Sequence, residues 1–261
     1  MASSRTDSLL HNASIVKGFR VLEAFDGRRA ALTLTQLIEI TGLDKSAVQR
    51  FTATLVELGY LRKDPVRRHY TLAPRLLHLG TSYLRTSPLI DRATPYLLEW
   101  SREHNETIHF GELDGLDVII SYLYTRQLVS YDITIGTCFP WHVTSIGQAI
   151  VAFLPEDQRA DLLRRSKLTP HGSHTITDKK VLAAKLDQVR QQGYSFCEGE
   201  SYDEDLSIAA PVFNSEGQVI AAVATAVLLT KWTPQEVKEK LAPSVRLLAK
   251  AITGSKRNGE L

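Results

Sequence analysis

Between Ser14 and Phe25 the apolar side chains Ile15, Phe19, Leu22 and Phe25 recur at three- and four-residue intervals, the spacing of one helical face. Ser14 is the expected cap of this helix, and Asp26-Gly27 its end. A short extended stretch, Leu32 to Leu34, leads to a second helix in which Leu37, Ile38 and Thr41 carry the pattern, Thr35 is the expected cap and Gly42 the stop. Asp44 should cap a third helix, Lys45 to Leu58, with Val48, Phe51, Leu55 and Leu58 facing inward and Gly59 closing it. Tyr60 to Arg62 and His69 to Leu72 read as two short strands around the polar turn Lys63 to Arg68, which contains Pro65. Helix, strand, helix, tight turn, helix and basic hairpin, within about 60 residues, is the order of a winged helix-turn-helix.

Beyond it, Pro74 to Arg85 and Pro88 to about His104 are two further helical patterns, the second with Ile90, Ala93, Leu97 and Trp100 on one side. The period then drops to two. Thr107 to Leu113 and Asp117 to Tyr124 should pair through the Asp114-Gly115 turn. A small-residue helix, Thr144 to Leu154, and a longer one, Asp178 to Gln192, precede strands Tyr194 to Glu198, Ser207 to Phe213 and Val219 to Leu229, and a last helix runs from Thr233 to about Thr253. The expected fold is α+β: a flexible segment 1–13, a winged helix-turn-helix at 14–73, a linker helix at 74–87, a sensor-like domain with a mostly antiparallel sheet at 88–254, and a flexible tail at 255–261.

A chain of 261 residues with 43% apolar and 23% charged residues has ordinary globular composition and room for two cores. The first fifteen residues lack the apolar run of a signal peptide and no later segment is long enough for a membrane helix, so the expectation is a cytoplasmic protein with no membrane partner. Cys138 and Cys197 cannot by themselves make a disulfide framework or a four-ligand zinc site, and nothing asks for a metal or a cofactor. Net charge is only +2, yet Arg62, Lys63, Arg67, Arg68 and Arg75 stand close together against one acid, Asp64.

That basic cluster adjoins the sharpest candidate surface. With Val48, Phe51 and Leu55 inward, the third helix turns Lys45, Ser46, Gln49, Arg50 and Ala53 outward, where Gln and Arg can make paired hydrogen bonds to base edges. Lys45 and Ser46 suit phosphate or base contact, Arg67 and Arg68 suit phosphates or a minor groove, and Thr35 and Arg62 complete the candidate DNA-contacting set. A second candidate is the run from Pro140 to Ala149, where free backbone N–H groups at Ser145 and Ile146 would face an anion at a helix start. No catalytic residue is assigned, because no Gly-x-Ser-x-Gly elbow, phosphate-binding loop or HExxH motif is present. The rival readings are a ligand-binding enzyme with a degenerate winged helix used for dimer contacts, and an architectural DNA-binding protein without an effector.

The run Ser14 to Leu22, then Gly42 to Arg50, Leu58 to Leu61 and Tyr70 to Leu72 resembles the IclR family of bacterial transcription regulators. Thr144 to Ala149, Gly193 to Phe196 and Ile208 to Phe213 extend the resemblance through the second domain, from about Ser14 to Thr253. It implies a winged helix-turn-helix followed by a GAF-like domain, self-association as dimer or tetramer, a pseudo-palindromic double-stranded DNA operator, and a small organic acid effector. By position the effector contacts would be the backbone of Ser145 and Ile146 and the side chains at Cys197, Ser207, Ala224 and Ala226. Where small-acid sensors of the family carry a carboxylate and hydroxyls, this chain has Cys197, Ala224 and Ala226. A less polar pocket follows, lined in part by Trp141, Phe139 or Phe196, and with it an aromatic or larger carboxylate.

Overall fold

A computed structural model of the chain describes residues 12–26, 29–125 and 133–254. Gly27 and nearly all of the two segments expected to be flexible lie outside the described residues; of the first, Asn12 and Ala13 are described and belong to a helix. The chain divides into two units, Met1–Tyr83 and Leu84–Leu261.

The first unit holds α1 (Ala13–Leu22), β1 (Ala31–Thr33), α2 (Leu34–Thr41), α3 (Lys45–Glu57), β2 (Leu61–Lys63) and β3 (His69–Leu72). The three strands pair antiparallel in the order β1-β3-β2. Val21, Leu32, Leu37, Val48 and Leu61 are sealed in its core. Two expected caps move by two residues. Asn12, not Ser14, caps α1, its Oδ1 accepting from the N–H of Ser14 and Ile15. Thr33, not Thr35, caps α2, because Thr33 and Gln36 form a reciprocal capping box and leave Thr35 in the first turn. Asp44 does cap α3, accepting from Ala47 N–H at 2.8 Å, and Gly42 ends α2 at φ 65°, a conformation that costs glycine little. Leu58 departs from its expected inward position and is half exposed, while Thr52 is buried, its hydroxyl donating to the Val48 carbonyl at 2.8 Å.

α4 (Leu76–Thr86) contains the division between the units. The second unit continues with α5 (Pro88–His104), β4 (Ile108–Asp114), β5 (Asp117–Tyr124), β6 (Cys138–Pro140), a 3₁₀ turn (Trp141–Val143), α6 (Ser145–Phe153), α7 (Glu156–Arg165), α8 (Lys179–Gln192), β7 (Ser195–Glu198), β8 (Asp205–Phe213) and β9 (Val219–Leu228). A helical turn at Pro234–Glu236 passes through a π-helical stretch, Val237–Leu241, into α9 (Ala242–Ile252).

Every described pairing in the six-stranded sheet, β6-β5-β4-β9-β8-β7, is antiparallel. Strand alternation sorts its side chains onto two faces. Leu206, Ile208, Ala210 and Val212 of β8, with Ala221 and Val223 of β9, pack with α5 and α9. Ala209 of β8 and Ala222 and Ala224 of β9 face the other way, toward α6 and α8. Small residues on that second face leave room beneath α6. Among the described helices none is long and apolar enough to cross a membrane.

Candidate functional site

In the first unit the outward face of α3 is as the periodicity requires: Lys45, Ser46, Gln49, Arg50 and Ala53 are all exposed, while Ala47, Val48 and Thr52 are buried. Thr35, Arg62, Arg67 and Arg68 are exposed as well. A groove between α3 and the wing is lined by Gln49, Ala53, Lys63, Pro65 and Arg68. The wing is shaped by its one acid. Asp64 Oδ1 accepts from the N–H of Val66 at 2.8 Å and of Arg67 at 2.9 Å, and these bonds hold its carboxyl below the usual range, so it stays ionised. Arg68 takes the left-handed conformation, φ 55°, that closes the turn before β3.

The second candidate site forms under the start of α6. Thr144 caps this helix by accepting from Gly147 N–H at 2.9 Å, which leaves the N–H groups of Ser145 and Ile146 without intrahelical acceptors. Gly147 is there because of space: a Cβ on it would stand 2.1 Å from the Trp141 carbonyl oxygen. The helix start also packs closely on the sheet, where Ile146 Cγ2 would lie 3.1 Å from a Cβ on Gly111 of β4.

Ser145, Ile146, Ser207, Ala224 and Ala226, expected from the sequence, all line this pocket. Trp141 and Cys197 do not. The Trp141 ring is fully buried in the core, its Nε1 donating to Ser166 Oγ at 2.7 Å. Cys197 lies in a separate buried polar cluster with Lys185, Ser195 and Glu200, and burial raises its thiol well above the usual range. Gln148 of α6 joins that cluster, donating to Glu200 at 2.8 Å and accepting from Ser195 at 3.0 Å. Of the two aromatic alternatives, Phe139 lines the pocket, whereas Phe196 sits beneath the Lys238 ammonium, 4.3 Å from ring centroid to Nζ.

His109 and Asp205, which the sequence did not assign to the effector site, also line the pocket. Burial alone depresses His109 to about 4, so the imidazole is neutral, and burial alone lifts Asp205 to about 7. Asp205 Oδ1 and the hydroxyl of Thr107 are buried with no protein partner. The available signal was strand parity: Asp205 stands two residues from Ser207, hence on the same face.

An exposed polar helix beside a basic wing, and a pocket opening on free helix-start donors, together mark a DNA-binding regulator that senses a small molecule. The chain belongs to the IclR family of bacterial transcription regulators: residues 14–65 match the family's helix-turn-helix domain and residues 81–254 the bacterial transcriptional regulator IclR C-terminal model. It is 32% identical over 232 residues to the Pca regulon regulatory protein of Pseudomonas putida, covering 88% of this chain and 79% of that one. A transcriptional regulator from Rhodococcus sp. RHA1 matches in structure with a TM-score of 0.77 at 31% identity, covering 93% of this chain and 97% of that one. An IclR homologue from Microbacterium hydrocarbonoxydans, complexed with 4-hydroxybenzoate, matches with a TM-score of 0.74 at 25% identity, covering 95% of this chain and 100% of its own. These relatives are transcription regulators, and the enzyme alternative gives way to that reading.

Proposed function

We propose that α3 enters the major groove of a pseudo-palindromic operator, with Gln49 and Arg50 reading base edges and Lys45, Ser46, Thr35, Arg62, Arg67 and Arg68 contacting phosphates or the adjacent minor groove. The effector is a small aromatic carboxylate, its anionic group on the N–H donors of Ser145 and Ile146 and its ring against Ile120, Phe139, Ala224 and Ala226. The observation that carries this reading is the pairing of those unpaired donors with walls that are mostly apolar. The complex of a related protein with 4-hydroxybenzoate supports the aromatic class.

Self-association supplies the two-fold symmetry that such an operator requires. Exposed Ile15, Val16 and Phe19 on α1, and Leu77, Leu79 and Tyr83 on α4, are the apolar residues best placed for it. Residues 74–87 act as the linker, the protein works in the cytoplasm, and the effector acts by binding one arrangement of the protein more tightly than the other, which shifts operator affinity. The test is binding to DNA upstream of the protein's own gene at two salt concentrations, with and without benzoate, 4-hydroxybenzoate and aliphatic acids. Sequence-specific binding that one aromatic acid alters supports the reading; binding unaffected by every acid overturns its effector half.

A further inference from the structure

The pocket has two chemically different ends, and the strand register orders them. Ile146 sits over Gly111, which pairs with Ala222. Next along the same face comes the row Ala209–Ala224–His109, then Ser207 opposite Ala226, then Asp205 opposite Leu228. Asp205 is thus four residues beyond the His109 row, about 13 Å along the strand at roughly 3.3 Å per residue. The donors of α6 and the carboxyl of Asp205 lie toward opposite ends of one pocket.

The charge inventory sharpens the contrast. No Lys or Arg is among the described lining residues, and the buried imidazole of His109 is neutral. The N–H groups at the start of α6, reinforced by the helix dipole, are the strongest partners for an anionic group, and the lining hydroxyls such as Ser207 are neutral donors only. At the other end Asp205 Oδ1 is buried and unpartnered, and a buried acceptor without a donor costs free energy that a bound donor would return.

We infer that Asp205 is the specificity residue of this pocket, accepting a hydrogen bond from a hydroxyl at the end of the ligand remote from its carboxylate, so that the effector is a hydroxyaryl monocarboxylate. The inference rests on the effector reading above and narrows it. A two-carbon acid cannot reach both ends, and at pH 8, where Asp205 is ionised, a second carboxylate would meet the Asp205 carboxylate in place of a donor. The hydroxyl supplies what Asp205 lacks, and the ring spans the apolar stretch between.

The experiment is calorimetric titration of the full-length protein with benzoate and 4-hydroxybenzoate, with cinnamate and 4-hydroxycinnamate as a longer pair, and with terephthalate. The expected result is that the better-fitting hydroxylated acid binds at least about tenfold tighter than its partner lacking the hydroxyl, the size of one charge-assisted hydrogen bond, and that terephthalate binds at least about tenfold more weakly than 4-hydroxybenzoate. Asp205→Leu should erase the hydroxyl preference. Asp205→Asn, which keeps an acceptor and loses the charge, should keep part of that preference and relax the exclusion of terephthalate. Equal binding of both members of each pair, or a preference that survives Asp205→Leu, overturns the role of Asp205 and leaves the pocket reading standing. Failure of every aryl acid to bind overturns the pocket reading and this inference with it.

Discussion

The two sites are built on opposite plans. The DNA-facing surface takes its base-reading side chains from the exposed face of α3, spaced by the helical repeat, and adds exposed contacts from Thr35 of α2 and from the wing hairpin. The pocket draws on a helix start and on β4, β5, β6, β8 and β9, and nearly all of its residues are buried or half-buried. A surface made by one element can lose a side chain without disturbing its neighbours, whereas a cavity made by many is set by packing, and small changes there reach further. Mutations at the two sites should therefore differ in kind as well as in size.

Gly147→Val should have the largest effect. Its side chain has no room beside the Trp141 carbonyl, and a loss of about 3 kcal/mol of stability is expected, together with aryl acid binding. Trp100, Trp141 and Trp232 all lie in the second unit, so fluorescence-monitored unfolding reads that unit directly. Unchanged unfolding would mean that α6 does not pack as closely as described. Arg50→Ala, by contrast, should weaken operator binding by about 2 kcal/mol, roughly thirtyfold, with no change in tryptophan unfolding or ligand affinity. A mobility-shift titration alongside calorimetry checks both halves of that statement.

Asp205→Asn tests the buried carboxyl through pH. Burial raises the folded-state value to about 7, above that of the unfolded chain, so the group costs nothing at low pH and progressively more as pH rises toward its folded value. The substitution should stabilise the protein by on the order of 2 kcal/mol near pH 8 and by little near pH 4. Equal gains at both pH values would show that solvent reaches the carboxyl freely. The smallest effect is expected for Arg67→Ala on the wing: a fall of about one unit in the slope of log affinity against log salt, with sequence preference retained.

The same contrast governs how far the sequence could be read. The face of α3 follows from a repeat of 3.6, so Lys45, Ser46, Gln49 and Arg50 were legible once Val48 and Leu55 were assigned inward. The cap of α2 was misplaced because two threonines compete, and only the Thr33 to Gln36 spacing tells them apart. α7 went unread: its apolar repeat is weak, and its clearest marks are Pro155 before it, Glu156 and Asp157 at its start and Arg164 and Arg165 at its end. In the pocket, Ser145 and Ile146 were legible as the donors of a helix start, and Ser207, Ala224 and Ala226 came from family resemblance, whereas no local pattern tells that Trp141 turns into the core or that Cys197 pairs with Lys185 and Glu200. Asp205 could have been found by its parity with Ser207, whereas His109 required knowing that β4 neighbours β9, and that information lies in the sheet register.

Glycine is usually invoked for freedom, yet Gly147 has the opposite effect. With its backbone packed against the Trp141 carbonyl, the first turn of α6 has little room to move toward the turn before it. The two donors are already aimed before any ligand is present, as in a preorganised anion receptor, and little of the binding free energy is consumed in assembling them. The selectivity of the site is then set by what the ligand offers at its other end.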